Sequence, residues 1–215
     1  MINTIIFDMD GVMIDTEPLS FESSKILLKM YNKDYTEEFH KACMGRSMAE
    51  VIKRTINEYQ LKENEEDLLE KRNEIYMNIA LEKAEPINGL FELLEYIKNS
   101  NIKCAVATGS NRKIAELLLK KLGILDYFQF ILPGDEMEKS KPDPWPYLEV
   151  MRRLNSLSKE TIIMEDSING IKSAIAAGCN VIAINSIWED KNTKEIISFE
   201  KDLKGVKDII RSLIK

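Results

Sequence analysis

The sequence is poor in cysteine, glycine and proline, and it has no long apolar run. Its 215 residues include only 3 Cys, 9 Gly and 6 Pro. The low Gly and Pro content excludes collagen-like and Pro/Gly-rich disordered classes. No apolar run approaches the ~20 residues that cross a bilayer, and the N-terminal residues lack the basic segment and cleavage site of a secretory signal. We therefore expect a cytoplasmic protein with no membrane partner.

The cysteines and the charges argue against disulfide-bonded, zinc-binding and nucleic-acid-binding proteins. Cys43, Cys104 and Cys179 are odd in number, lie far apart and form no CxxC pair, so we expect packing residues rather than disulfides or a zinc site. The 30 Lys and Arg residues against 36 Asp and Glu residues give a net charge of −6. No basic stripe with interleaved aromatic residues is present, so no nucleic-acid partner is expected. The acidic balance favours a monomer.

Short apolar runs of strand length recur along the chain, and helical patterns separate most of them. The runs cover residues 3–7, 103–107, 128–132, 161–164 and 180–184. Continuous apolar strands that alternate with helices are typical of a parallel sheet covered on both faces. From Thr16 to about Ala84 the pattern instead predicts four consecutive amphipathic helices. We predict an α/β, Rossmann-like parallel sheet core of residues 1–16 and 85–215, with an inserted α-helical cap domain of residues 17–84.

Polar residues follow the expected strands at the points where the strands end. In chain order these residues are Asp8 and Asp10, then Thr108, Gly109 and Ser110, then Lys141, and finally Glu165 and Asp166. Ligands of open parallel sheets bind outside the carboxyl ends of the strands. Four carboxylates at one such edge repel one another unless cations balance them, and hard oxygen ligands favour Mg²⁺. The hydroxyls, the helix N-terminal amides and the lysine ammonium make a phosphate receptor.

The first motif suggests separate roles for its two carboxylates. Asp8 and Asp10 lie two residues apart, so their side chains would share one face of an extended segment. Gly11 lets the chain turn away, which leaves Asp10 in a looser position than Asp8. A rigid carboxylate beside a metal suits a nucleophile, and a second carboxylate on a turn suits a general acid and base.

These motifs together resemble the haloacid dehalogenase superfamily, in its phosphatase and β-phosphoglucomutase-like branch with a helical cap. The segment from Asp8 to Val12 is similar to the first family motif and the segment from Thr108 to Ser110 to the second. Lys141-Pro142 is similar to the third motif, and residues 165–167 with 169–170 to the fourth. The resemblance covers nearly the whole chain, and the order of all four motifs makes it specific.

The resemblance implies a two-step phosphoryl transfer. Asp8 would attack phosphorus and form an aspartyl phosphate, while Asp10 would protonate the leaving oxygen and then activate water. Mg²⁺ would be held by the side chains of Asp8 and Asp166 and by the backbone carbonyl of Asp10. Glu165 would bind the ion through water or would contact its direct ligands. Thr108, the Gly109 amide and Lys141 would neutralise the transferring oxygens, with Ser110 part of the same receptor. The cap would close over the site and select the leaving group.

Three alternatives to a phosphatase differ from this chain in identifiable ways. Dehalogenases of the superfamily lack the second aspartate, so Asp10 favours phosphate chemistry. A sugar-phosphate mutase resembles the chain at Asp15-Thr16, but Ser20 stands where those enzymes carry His, and Arg46 stands earlier than their cap Arg. A non-catalytic binding module would normally lack at least one motif residue. The sequence therefore favours a phosphatase of a small phosphorylated metabolite, such as a sugar phosphate, with Arg46 and Arg72 as candidate cap ligands for a substrate phosphate or carboxylate.

Overall fold

The chain divides into two compact units. The computed structural model describes residues 1–44 and 46–214, with Gly45 and Lys215 outside the described residues. One unit comprises Met1–Asp15 with Glu85–Lys215, and the other comprises Thr16–Ala84. Within the described residues, no helix is both long enough and apolar enough to cross a lipid bilayer.

The first unit contains a six-stranded parallel sheet. Its strands are β1 (Thr4–Phe7), β2 (Lys103–Ala107), β3 (Ile131–Leu132), β4 (Thr161–Glu165), β5 (Asn180–Ile184) and β6 (Ile196–Glu200), in the spatial order β3-β2-β1-β4-β5-β6. All neighbouring strands run parallel. The strands β1 and β4 are buried along their whole length, as continuously apolar runs require. The predicted α/β, Rossmann-like fold is confirmed.

Helices connect the strands of the first unit and form the second unit. In chain order the helices are α1 (Glu17–Lys29), α2 (Glu37–Cys43), α3 (Met48–Tyr59), α4 (Glu65–Lys83), α5 (Leu90–Asn99), α6 (Arg112–Lys121), α7 (Trp145–Leu154), α8 (Ile168–Ala176) and α9 (Val206–Leu213). Gly123 and Gly178 have φ angles of +68° and +76° just after α6 and α8. Both glycines adopt the left-handed backbone conformation that commonly ends a helix.

The edges of the sheet differ from the sequence expectation. The run 128–132 predicted five residues of strand, but β3 is only Ile131–Leu132, and a 3₁₀ turn at Leu125–Tyr127 directly precedes the run. The edge strand β6 was not predicted. Only Ile196 of its residues is buried, so the segment lacks the continuous apolar run that marks the central strands.

The second unit contains the helices α1 to α4. Leu27, Ile52 and Leu68, from α1, α3 and α4, form a buried apolar cluster. Ser47 begins α3 with a capping box, in which its hydroxyl accepts from the Glu50 amide while the Glu50 carboxylate accepts from the Ser47 amide. Such a box satisfies amides that a helix start leaves without partners.

The chain leaves and re-enters the first unit along two adjacent segments. The Asp15 amide donates to the Glu85 carbonyl at 3.2 Å, and the Ile87 amide donates to the Met13 carbonyl at 2.8 Å. Ile14 and Pro86 form an isolated antiparallel bridge between these bonds. The first unit therefore closes its own backbone where the inserted segment begins and ends.

Candidate active site

The register of the central strands brings three strand ends to one level. Phe7 of β1 pairs with Val106 of β2 and with Met164 of β4. The next residues are Asp8 after β1, Ala107 in β2 and Glu165 in β4, and they therefore lie at the same level of the sheet. Residues from distant parts of the chain thus meet at the carboxyl edge of the sheet, where ligands of this fold class bind.

Lys141 joins two of these carboxylates. Its Nζ donates to Asp8 Oδ1 at 2.5 Å, to Glu165 Oε1 at 2.6 Å and to the Ala107 carbonyl at 2.9 Å. The side chains of Lys141, Asp8 and Glu165 are 11%, 9% and 0% exposed, so this network is almost sealed from solvent. Burial lowers the pKa of Lys141, but Asp8 and Glu165 outweigh it and raise that pKa well above its usual value. The ammonium is therefore held charged.

Asp10 is oriented by two hydroxyls from the segment after β2. Its Oδ2 accepts from Ser110 Oγ at 2.9 Å and from Thr108 Oγ1 at 3.1 Å. The Ser110 amide donates to Thr108 Oγ1 at 3.0 Å, which fixes the hydroxyl of a fully buried side chain. Gly11 has φ +76°, the turn expected after Asp10. The structure therefore brings Asp10, Thr108 and Ser110 together.

Gly109, in the segment just before α6, has open space beside its backbone. Asn111 is the residue that caps this helix, since its side chain accepts from the Ile114 amide at 2.9 Å. A Cβ added at Gly109 would meet no atom within 4 Å. A helix start with open backbone next to it suits an anion.

Both carboxylate oxygens of Glu165 accept hydrogen bonds from other groups of the protein. Its Oε1 accepts from Lys141 and from the Tyr147 hydroxyl, and its Oε2 accepts from the amides of Asp166 and Ser167 and from Ser167 Oγ. Two carboxylate oxygens offer about four lone-pair sites, and five donors already occupy them. The structure thus gives both Glu165 oxygens partners within the protein, and the expectation that Glu165 acts through water or beyond the direct metal ligands stays a prediction.

Two carboxyl groups at this edge, those of Asp8 and Asp166, have raised pKa values. Burial, followed by the charges of Glu165 and Asp10, raises the pKa of Asp8 to about 8, although Lys141 acts in the opposite direction. Burial, followed by Glu165 and Asp8, raises the pKa of Asp166 to about 9. If all four carboxylates were ionised beside one ammonium, they would leave an excess of negative charge that a divalent cation would balance.

The donor set fits a hard cation, although the described residues do not form a closed cage. Across residues 1–44 and 46–214, no three His, Cys, Asp or Glu side chains are arranged to hold a metal ion. The Asp166 carboxylate lies so close to Gly11 that a Cβ there would overlap it. Magnesium keeps several waters and needs only one or two protein carboxylates. A magnesium site therefore does not require a closed cage of protein side chains.

The raised pKa values predict how stability depends on pH. Folded Asp8 and Asp166 retain protons that the unfolded chain releases from about pH 4 upward, so stability falls as pH rises toward about 8 to 9. The lowered pKa of Glu165 acts only below its ordinary value of 4.5. In EDTA, thermal unfolding followed by circular dichroism should give a lower midpoint at pH 8.5 than at pH 5.5. Asp166→Asn should flatten this slope, and a higher midpoint at pH 8.5 would contradict the prediction.

Replacement of Gly170 by Ala should destabilise the protein, although helix propensity favours Ala. It lies in the first turn of α8, where Ala is ordinarily better than Gly by about 1 kcal/mol. A Cβ at this position would overlap the buried Glu165 carboxylate. Gly170→Ala should therefore destabilise the protein, by about 3 kcal/mol, through overpacking and disturbance of the pairing with Lys141.

The matched control for Gly170→Ala is Gly205→Ala. A Cβ at Gly205 would have Glu200 Oε2 as its nearest atom, at the ordinary contact distance of 3.5 Å. We expect the control to unfold in urea almost as the wild type does. A Gly170→Ala variant as stable as its control would refute the close packing of Glu165 on α8.

Arg46 and Arg72, the candidate cap ligands, belong to the other unit. Arg72 is 4% exposed, its Nη2 donates to Ser20 Oγ at 2.9 Å, and its guanidinium lies over the Tyr76 ring at 4.6 Å from the centroid. Arg46 is exposed, and its Nε donates to the Ala42 carbonyl at 3.3 Å. The structure thus separates a buried, oriented arginine from a surface one.

Sequence reasoning missed Tyr147. This side chain is fully buried, its hydroxyl donates to Glu165 Oε1 at 2.7 Å, and its ring lies 5.0 Å from Lys141 Nζ. A tyrosine six residues after a lysine gives no periodic signal, because a proline-containing turn separates the two. Only the folded chain shows that the Tyr147 hydroxyl lies among the charged residues of the site.

Known proteins resemble this chain over most of its length. The model of a family described as haloacid dehalogenase-like hydrolase matches residues 5–184. The phosphorylated carbohydrates phosphatase of Thermotoga maritima is 32% identical over 213 residues, which are 96% of this chain and 99% of that protein. The fructose-1-phosphate phosphatase of Escherichia coli is 29% identical over 182 residues, covering 84% of this chain and 95% of the relative.

A solved structure agrees with these relatives. β-Phosphoglucomutase from Clostridium difficile superimposes with a TM-score of 0.82 at 25% identity, covering 99% of this chain and 96% of that one. The resemblance read from the motifs is confirmed. The chain belongs to the haloacid dehalogenase-like hydrolase family, in its phosphatase and β-phosphoglucomutase-like branch.

Proposed function

We propose that this enzyme is a Mg²⁺-dependent phosphatase that hydrolyses a small phosphorylated carbohydrate through an aspartyl-phosphate intermediate. The observation that carries the proposal is the meeting of Asp8, Asp10, Thr108 and Lys141 at one sheet edge. The phosphatase names of the relatives from Thermotoga maritima and Escherichia coli support the substrate class.

Asp8 acts as the nucleophile. One carboxylate oxygen attacks phosphorus in line, the bond from phosphorus to the substrate oxygen breaks, and the phosphoryl group remains on Asp8. A water molecule then attacks the same phosphorus and returns the carboxylate. Burial of Asp8 and its bond to Lys141 support this role, since they hold the attacking group in one position.

Asp10 acts as the general acid and then the general base. It gives its proton to the departing substrate oxygen and takes a proton from the attacking water in the second step. The hydroxyls of Thr108 and Ser110 both donate to Asp10 Oδ2 and so orient the carboxyl group. An oriented carboxyl group close to the nucleophile supports this pair of roles.

Lys141, Thr108 and the backbone amide of Gly109 bind the transferring oxygens. These oxygens carry most of the charge in the transition state, so fixed donors and an ammonium lower the barrier. Lys141 already donates to Asp8, which supports a place beside the phosphorus atom that Asp8 attacks. The open space above Gly109 supports access for the phosphate.

Asp8, the backbone carbonyl of Asp10 and Asp166 would hold Mg²⁺. When bound, the ion supplies positive charge that balances the carboxylates and the incoming phosphate. The raised pKa values of Asp8 and Asp166 support this assignment, because burial, and after it the neighbouring carboxylates, disfavour their charged forms when no cation is bound. Glu165 anchors Lys141 and would act on the metal only through water or from beyond the direct ligands.

The inserted helical unit selects the leaving group. Arg72 is the stronger candidate for a contact with substrate oxygens, because burial and the bond to Ser20 orient its guanidinium. Arg46 is the weaker candidate, since its side chain is exposed. In the proposed domain organisation, residues 1–16 and 85–215 carry the chemistry and residues 17–84 carry the specificity.

A phosphate-release screen tests the proposed function. The purified chain is incubated in Mg²⁺ with hexose, pentose, glycerol and glycolate monophosphates, with nucleotides and with p-nitrophenyl phosphate. We expect free phosphate from one or more carbohydrate phosphates at a higher kcat/KM than from nucleotides. Release from no compound by folded, Mg²⁺-supplied protein would refute the proposal, and a preference for nucleotides would refute the substrate class.

A β-phosphoglucomutase activity is the second candidate, favoured by the similarity to the solved mutase. The two activities differ in whether water or a sugar hydroxyl accepts the phosphoryl group. β-Glucose 1-phosphate should therefore be supplied with and without a bisphosphate primer. Primer-dependent glucose 6-phosphate would identify a mutase, whereas free phosphate without a primer is the result we expect, because Ser20 stands in place of the mutase His.

A further inference from the structure

Tyr147 and Lys141 donate to the same oxygen atom. The Tyr147 hydroxyl lies 2.7 Å from Glu165 Oε1, and Lys141 Nζ lies 2.6 Å from it. The ring of Tyr147 also lies against the ammonium, with its centroid 5.0 Å from Nζ. Tyr147 therefore contacts both members of the ion pair, one through its hydroxyl and the other through its ring.

All three protons of the Lys141 ammonium have acceptors. These are Asp8 Oδ1, the Ala107 carbonyl and Glu165 Oε1. The carbonyl belongs to the sheet backbone, and Asp8 is the group that the reaction alters. Glu165 is thus the side chain that holds Lys141 in place, so the position of Oε1 sets the position of the ammonium.

The segment that carries both donors is itself held to α8. Lys141 precedes the turn at Pro142 to Pro144, and Tyr147 lies in the first turn of α7. The Asp143 carbonyl accepts from Ser173 Oγ of α8 at 2.6 Å, and Asp143 Oδ1 accepts from the Trp145 amide at 2.9 Å. The two donors therefore reach Glu165 Oε1 from a braced segment.

We propose that Tyr147 is a positioning residue that holds Glu165 Oε1, and through it Lys141, at the place required for phosphoryl transfer. This inference rests on the proposed phosphatase function. Packing alone does not account for the hydroxyl, because Phe would fill nearly the same volume without burying a polar group that needs a partner. The hydroxyl finds its partner at the oxygen that also anchors Lys141.

The test is Tyr147→Phe, which retains the ring and removes the hydroxyl. Without the second donor, Glu165 Oε1 and Lys141 gain freedom, and the ammonium no longer meets the transition state in one position. We expect kcat to fall on the order of tenfold, the effect of one hydrogen bond to a charged group. KM should change less than about twofold, since the positive charge stays in the pocket and still binds the ground state.

Tyr35→Phe is the matched control. Tyr35 is also buried, and its hydroxyl contacts His40 Nδ1 at 3.3 Å in the other unit. Both variants should lose a similar amount of thermal stability, but only Tyr147→Phe should lower kcat at a temperature well below unfolding. Equal kcat values for Tyr147→Phe and the wild type would overturn the inference while the phosphatase function stands.

A second measurement keeps the inference testable without turnover. The side-chain ammonium signal of Lys141 in ¹⁵N-labelled protein should be sharp in the wild type and broadened by exchange in Tyr147→Phe. If Tyr147→Phe does not fold, Glu165→Gln interrupts the same link and should broaden the signal likewise. An unchanged signal overturns the inference. A wild type that releases no phosphate from any substrate overturns both the function and the inference that rests on it.

Discussion

Asp8→Asn should lower phosphate release by about a thousandfold or more, because it removes the attacking oxygen of the first step. Asn has almost the same shape as Asp, so the pocket keeps its volume. The substitution also removes one of four crowded carboxylates, whose charged form burial and Glu165 disfavour. We therefore expect the variant to fold with a midpoint at least as high as that of the wild type, when both are measured in EDTA at pH 8.

The control for Asp8→Asn is Asp208→Asn. Asp208 lies in α9, its side chain is 66% exposed, and its partner is Arg211 at 3.0 Å. This change removes the same charge from the same unit without touching the carboxyl edge of the sheet. It should leave kcat and KM unchanged. A folded Asp8→Asn variant with wild-type activity would exclude the covalent mechanism and would favour a contaminant or a non-catalytic module.

Removal of divalent cations should suppress turnover by at least about a hundredfold, and Mg²⁺ should restore it. The reason is electrostatic, since a phosphate ester brings further negative charge to an edge where Asp8 and Asp166 already have raised pKa values. Mg²⁺ should also raise the unfolding midpoint, and by more at pH 8.5 than at pH 5.5, because ionised carboxylates bind it more strongly.

Asp166→Asn separates metal binding from other effects of EDTA. This variant should need a much higher Mg²⁺ concentration for half-maximal activity, whereas Asp208→Asn should need the wild-type concentration. Isothermal titration with Mg²⁺ gives the same comparison in the absence of substrate. Full activity after exhaustive chelation would remove Asp166 from the metal site and Mg²⁺ from the mechanism.

The central part of the fold was predictable because burial there is complete. The strands β1, β2, β4 and β5 are largely apolar runs, and motif residues lie at the ends of β1, β2 and β4. The edge strands were harder, since β6 has one buried residue and β3 pairs with β2 at two positions only. A strand covered on one side does not need the apolar run that a central strand needs.

The candidate site was predictable as a set of residues but not as a set of contacts. Chain order and strand ends indicate that Asp8, Thr108 and Glu165 lie near one another. They do not indicate which way a carboxylate turns. The sequence predicted a place for Glu165 near the metal site, but it did not indicate that Oε1 faces Lys141 and Tyr147 while amide donors just before α8 hold Oε2. Such competition among donors depends on distances that only the folded chain defines.

The hydrogen bonds between Met13 and Ile87 and between Asp15 and Glu85 have an evolutionary consequence. They hold the two ends of the inserted segment next to each other, independently of what lies between them. A segment of another length or sequence can replace it by recombination while the strands keep their register. Exchange of one contiguous stretch of gene can therefore replace the whole inserted unit, and the residues at the carboxyl edge of the sheet are inherited unchanged.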